Sequence, residues 1–126
     1  MSIPLHDPAW LERMYNNRAL VPDYMDYLQR WAQDSAQVRA NCPCALDLVY
    51  GPEAGETLDV FPATRPGAAL APVLVFIHGG YWRSLDKSDH SFVAPPFTLA
   101  GCCVVVVNYA LWPGSSEHPV PVPYIG

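Results

Sequence analysis

The chain has 126 residues, 51% of them hydrophobic and 15% charged, which suffices to bury a core within one modest domain and is too apolar for a disordered chain. A formal net charge of −5, with no Arg/Lys cluster, argues against non-specific binding to nucleic acid or to an anionic membrane surface. Residues Met1 to Pro8 carry neither a basic nor an apolar signal region, and the longest apolar runs, Val73–Ile77 and Cys102–Val107, are too short to span a bilayer.

In chain order, residues 8–39 are predicted to be helical, in two pieces broken near Val21-Pro22. Asp7 before Pro8 is a helix start: an N-cap carboxylate followed by proline at the first helical position. From Pro22 onward Tyr24, Tyr27, Leu28, Trp31 and Val38 recur near the 3.6-residue period, so this piece is amphipathic. Core packing is the expected role of Trp10, Tyr15, Tyr24, Tyr27 and Trp31, with a ligand pocket as the alternative. Cys42-Pro43-Cys44 is too tightly spaced for a C-x-x-C zinc or redox motif and no His pair follows, so no metal or cofactor is expected. With Cys102 and Cys103, these thiols fit a cytoplasmic protein in which they are reduced and fill space.

Residues 45–50 and 57–62 both alternate in polarity across a Gly/Pro-containing loop and predict an antiparallel hairpin. Thr64 to Ala69 is a surface turn leading to the apolar run at 72–78, which predicts a strand buried on both faces. His78-Gly79-Gly80-Tyr81-Trp82 follows directly. Glycine lets a backbone approach a ligand closely, and successive free N–H groups in such a turn can hold a developing negative charge. Asp86 or Ser88 should cap a helix running to Ala100, broken or kinked by Pro95-Pro96 and ended by Gly101. Residues 103–108 are a second apolar strand, parallel to the first by a right-handed crossover. From Pro113 onward, Pro113, Pro119, Pro121 and Pro123 deny both helix and central strand, and an extended or disordered tail is expected.

This succession resembles the α/β-hydrolase fold. Its elements are a helical cap, a hairpin, a strand ending in His-Gly-Gly-Tyr-Trp, a helix, and a strand ending in Asn108-Tyr109-Ala110-Leu111. With Asp86-Lys87-Ser88 included, residues 8–113 look like the kynurenine formamidase (arylformamidase) and related esterase branch. The resemblance implies the N-terminal half of an α/β-hydrolase fold, divided into a cap segment (1–40), a partial core (41–112) and a divergent tail (113–126). It implies that the backbone N–H groups of Gly79, Gly80 and Tyr81 form an oxyanion hole. His78 would brace the loop, Tyr81 and Trp82 would wall an aromatic pocket, and Asn108 and Tyr109 would support the motif. The implied parent activity is hydrolysis of N-formylkynurenine to kynurenine and formate, or of a small ester, through a serine nucleophile and without a cofactor. The implied partner is thus a small aromatic N-formyl amide or ester.

One part of the pattern is missing. No G-x-S-x-G occurs in the sequence, and Ser84, Ser88, Ser91, Ser115 and Ser116 all lack the glycine bracket. His90 and His118 sit in the helix after the Gly pair and in the tail, where neither matches the base of a triad. The chain is therefore expected to stop short of the nucleophile turn and to lack triad-dependent turnover alone. A non-catalytic fragment or isoform that pairs through the exposed edge of strand 72–78, with itself or a partner, is the alternative. Reading His-Gly-Gly as a phosphate loop is disfavoured because no Lys-Ser/Thr motif follows.

Overall fold

The computed structural model describes residues 7–65, 70–80 and 83–111, so the predicted tail, most of the turn before the apolar strand, and Tyr81 and Trp82 lie outside the described residues. The chain divides into two compact units, residues 1–30 and 31–126. The first holds helices α1 (Pro8–Tyr15) and α2 (Asn17–Leu20) and the start of α3 (Tyr24–Asn41). Asp7 caps α1 as predicted, its carboxylate accepting the Ala9 N–H at 3.1 Å with Pro8 in the first turn. A break precedes Tyr24 as predicted, but a second one falls at Asn16. Its side-chain oxygen accepts from the Ala19 N–H at 3.2 Å, so this residue ends α1 and starts α2. Tyr15 and Tyr27 are exposed, contrary to the expectation of core packing.

The second unit is built on a four-stranded sheet of order β1-β2-β4-β3, with β1 Ala45–Val49, β2 Thr57–Phe61, β3 Val73–Ile77 and β4 Cys103–Val107. β1 and β2 form the predicted antiparallel hairpin, with a register shift between Ala45 and Leu48 where Asp47 takes a φ of 57°. β4 pairs antiparallel with β2 and parallel with β3, which places the Val-rich strand in the middle and β3 at an edge of the sheet. The fold is mixed α/β.

Register decides what each face carries. Asp59 and Phe61 lie opposite Val106 and Val104, which lie opposite Phe76 and Leu74, so these six residues share one face. Phe61, Val104 and Val106 are buried there with Ala94, and Val38, Cys44, Leu74, Phe76 and Val93 pack around them. On the other face Val73, Val75 and Ile77 of β3 are 61, 54 and 48% exposed.

The predicted helix up to Ala100 is instead two 3₁₀ turns, Lys87–Asp89 and Ser91–Val93, followed by a short α4 (Ala94–Leu99). Pro95 and Pro96 do not break α4. They occupy its first turn, where a missing N–H costs nothing. Gly101 then ends the segment at φ 97° as the sequence indicates. Asp86 caps the first 3₁₀ turn, and Asp89 reaches back to the Asp86 N–H to complete a capping box. All four cysteines are free and half-buried. No helix among the described residues is long and apolar enough to cross a membrane.

Candidate active site

The loop leaving β3 contains two glycines with different physical reasons to be glycine. Gly80 has a φ of 116°, and a Cβ placed there would lie 2.3 Å from the carbonyl oxygen of Ser84. The turn that causes this contact is closed by the Arg83 N–H and the Ser84 hydroxyl, which donate to Gly80 C=O at 3.0 and 3.3 Å. Only glycine fits. Gly79 has neither constraint: its φ is not positive, and a Cβ there would meet nothing within 4 Å among the described residues. The space beside Gly79 is open to solvent.

His78, 2% exposed, anchors the loop from below. Its ring lies between the rings of Tyr109 and His90, at 4.5 and 5.4 Å between centroids and within 17° and 12° of parallel. Trp31 and Phe92 extend this stack beyond His90 at 6.0 and 6.3 Å. The Tyr109 hydroxyl donates to His78 C=O at 2.7 Å, and burial pushes its phenol above its ordinary value, so it remains a donor at neutral pH. The Asn108 amide is oriented by its own contacts. Its Nδ2 donates to the Asp86 carboxylate at 2.7 Å, and its Oδ1 accepts from the Lys87 N–H at 3.3 Å. Oδ1 therefore faces His78 Nε2, 3.1 Å away, as the acceptor for a proton on that nitrogen. His78 Nδ1 lies 2.8 Å from the Gly79 carbonyl oxygen. The backbone of Asn108 is fixed in turn, its N–H donating to Thr57 C=O at 2.8 Å and its C=O accepting from the Tyr50 hydroxyl at 2.6 Å.

Electrostatics reinforce this arrangement. Burial would raise the Asp86 carboxyl, but hydrogen bonds from Ser88 and Asn108 and the Lys87 charge outweigh it and hold the group below its ordinary value. Burial holds His90 below its ordinary value, so the ring is neutral at pH 7 and its Nδ1–H donates to Asp86 C=O at 3.0 Å. A carboxyl whose folded value is depressed contributes stability that is fully present above the unfolded value of 3.8 and is lost as pH falls through the lower folded value. Urea midpoints of the wild type are therefore expected to fall more steeply than those of Asp86→Asn as pH drops below about 4. Parallel pH profiles would show that Asp86 carries no such linkage.

Behind the loop lies an ion cluster of which Lys87 and Asp59 are buried. The Lys87 ammonium, 7% exposed, contacts Asp59 Oδ1 and Asp47 Oδ1, each at 2.7 Å. Burial would lower the Lys87 value, but the hydrogen bonds and charges of both carboxylates raise it above the ordinary one. Arg39 of α3 binds the same segment, donating to Ser88 C=O and to Ser91 Oγ.

The structure thus brings together His78, Gly79, Gly80, Asn108 and Tyr109, while Tyr81 and Trp82 lie outside the described residues. Ser84 and Ser91 are committed to Gly80 C=O and Arg39, and His90 to Asp86 C=O, so none forms a Ser–His pair among the described contacts. Asp59 and Tyr50 are not singled out by the sequence, and Lys87 enters there only within Asp86-Lys87-Ser88. The pairs Lys87–Asp59, Lys87–Asp47 and Tyr50–Asn108 are 28, 40 and 58 residues apart, beyond any local spacing signal. Among the described residues no group of His, Cys, Asp and Glu is arranged to hold a metal.

No protein-family model matches the chain. It is similar to the kynurenine formamidase of Danio rerio, 37% identical over 68 residues that make up 54% of this chain and 23% of the relative. The Salmo salar kynurenine formamidase is 33% identical over 81 residues, 64% of this chain and 27% of the relative. That of Drosophila melanogaster is 38% identical over 66 residues, 52% of this chain and 21% of the relative. Among solved structures, a candidate thioesterase from a Silicibacter species superposes with a TM-score of 0.73 at 32% identity, over 82% of this chain and 39% of that one. The chain is thus similar to kynurenine formamidases over part of its length, and spans 21 to 27% of the length of the curated relatives it matches.

Proposed function

We propose that this chain supplies the oxyanion-binding loop of a formamidase-like serine hydrolase of α/β-hydrolase fold, acting on an N-formyl aryl amide such as N-formylkynurenine or on a small ester. The observation that carries this reading is the contrast between Gly79 and Gly80. The fold requires glycine at 80 but not at 79, where a side chain would meet no described atom. In this reading a side chain at 79 is excluded by a substrate carbonyl group that must come within hydrogen-bond distance of the backbone. The N–H groups of Gly79, Gly80 and Tyr81 would hold the negative charge that develops on that oxygen as a tetrahedral intermediate forms. His78, pinned by Asn108 and Tyr109, keeps the loop from relaxing when the substrate is absent. Sheet order, the parallel β3–β4 pair and similarity to the kynurenine formamidases support the fold and the substrate class. Residues 1–40 are proposed as the cap and 41–112 as the partial core. Without a G-x-S-x-G in these 126 residues, the chain alone is proposed to lack triad-dependent turnover.

A loop graft tests the reading. Residues 45–111 are exchanged for the matching segment of a kynurenine formamidase relative, and hydrolysis of N-formylkynurenine is measured. The graft should remain active. Gly79→Ala within it should lower kcat by about 100-fold without loss of folding, the cost of obstructing an oxyanion donor. A folded but inactive graft, or an indifferent Gly79→Ala, would rule the reading out. A second reading, self-association through β3, is favoured by its edge position and its exposed valines. Light scattering of the purified chain decides it: a dimer supports it and a monomer overturns it.

A further inference from the structure

The oxyanion loop is held from below by His78, and His78 by Asn108. What holds Asn108 is less obvious, because both groups that clasp its amide, the Asp86 carboxylate and the Lys87 N–H, belong to one 3₁₀ turn. Such a turn has weak hydrogen bonds of its own and needs an external anchor. The Lys87 side chain supplies one. It passes from the turn to the sheet, where its ammonium sits between Asp59 of β2 and Asp47 at the β1 irregularity. The Asp47 N–H also donates to Asp59 Oδ1 at 2.9 Å, so the two strands and the turn meet on one carboxylate oxygen. Asp59 is completely buried, and its other oxygen has no hydrogen-bond partner. A carboxylate in that condition costs stability, and a nonpolar residue would fill the same position more simply. Its position opposite a buried lysine points to a role other than stability.

We propose that Lys87 is a positioning residue: anchored to Asp59 and Asp47, it fixes the turn whose Asp86 carboxylate and Lys87 N–H orient Asn108, and through Asn108 it sets the His78 ring beneath Gly79. The ion cluster lies on the sheet and the oxyanion loop at its edge, and the chain of contacts between them is continuous: Asp59 to Lys87 at 2.7 Å, Lys87 N–H to Asn108 at 3.3 Å, Asn108 to His78 at 3.1 Å, His78 to Gly79 C=O at 2.8 Å. The functional consequence rests on the oxyanion reading; the positioning itself does not.

The test is the hydrogen-bonded Nε2–H proton of His78, read by NMR on the full chain. In wild type the Asn108 oxygen should protect it from exchange. In Lys87→Met its exchange should become about tenfold faster or its signal should vanish, while the protein stays folded. Val104→Ala, a core variant remote from the turn, should lose stability yet leave the signal in place. If Lys87→Met does not fold, Asp59→Leu/Lys87→Met replaces it. A wild-type His78 signal in the folded Lys87 variant, or in the double variant where that is used, overturns the proposal; a lost or fast-exchanging signal supports it. In the active graft, Lys87→Met should lower kcat about tenfold with KM unchanged, as expected when only the transition-state geometry suffers. An inactive graft with Lys87 intact defeats the oxyanion reading instead and leaves the His78 result standing.

Discussion

Gly80→Ala is expected to destabilise the chain by about 2–4 kcal/mol, whereas Gly79→Ala, one residue earlier, should change stability by less than about 1 kcal/mol. Two terms add at Gly80. A side chain at φ 116° is strained in itself, and its Cβ would overlap the Ser84 carbonyl oxygen at 2.3 Å. The oxygen cannot easily retreat, because it belongs to the backbone of a turn closed on Gly80 C=O by Arg83 and Ser84. Beyond that turn Leu85 already sits at φ 75°, an unfavourable value for a branched residue, so little conformational freedom remains there. At Gly79 alanine finds open space and restricts the unfolded chain slightly, which offsets any small loss. Urea denaturation of the two variants side by side gives the comparison. Equal midpoints would mean that the turn adapts and that the steric distinction between the two glycines is wrong.

That distinction is not visible in the sequence, where Gly79 and Gly80 are two identical letters. What was legible is local or periodic. Asp7-Pro8 signals a helix start because an N-cap and its partner are two residues apart, and the apolar runs at 73–77 and 103–107 read as strands, but the expected burial of both faces fails for 73–77, an edge strand whose Val73, Val75 and Ile77 face outward. Proline misled where position within the element mattered: Pro95-Pro96 reads as a break unless one knows that the helix begins at Ala94. Asn16 reads as an ordinary helical residue until its side chain is found capping the next turn. The deepest failure is at Asp59. In Thr57-Leu58-Asp59-Val60-Phe61 an alternating pattern would turn the aspartate to water, yet register with β4 turns Asp59 inward beside Phe61. Lys87, 28 residues later and delivered by a 3₁₀ turn, supplies the counter-charge for that burial, beside the Asp47 N–H.

That dependence gives the second large expected effect. Lys87→Met should cost about 3–5 kcal/mol at neutral pH, because it leaves Asp59 buried without its counter-charge. The burial is complete on the Asp59 side, and among the described contacts only the neutral Asp47 N–H, already bonded to Oδ1, would remain to the carboxylate. Asp47, by contrast, has a side chain 77% exposed and can return to water when the ammonium is gone. The double variant Asp59→Leu/Lys87→Met should recover most of the loss and come within about 1 kcal/mol of wild type. Two apolar side chains of similar length then replace an ion pair whose desolvation roughly balances its attraction. The remaining deficit belongs to the Asp47 N–H, which loses Asp59 Oδ1 as acceptor. Urea denaturation of the single and double variants at one pH measures the coupling between the two positions. Two losses that simply add would show that Lys87 does not compensate the burial of Asp59. Recovery would show that the pair contributes little net stability, which leaves the positioning of Asn108 and His78 as what the buried charges supply.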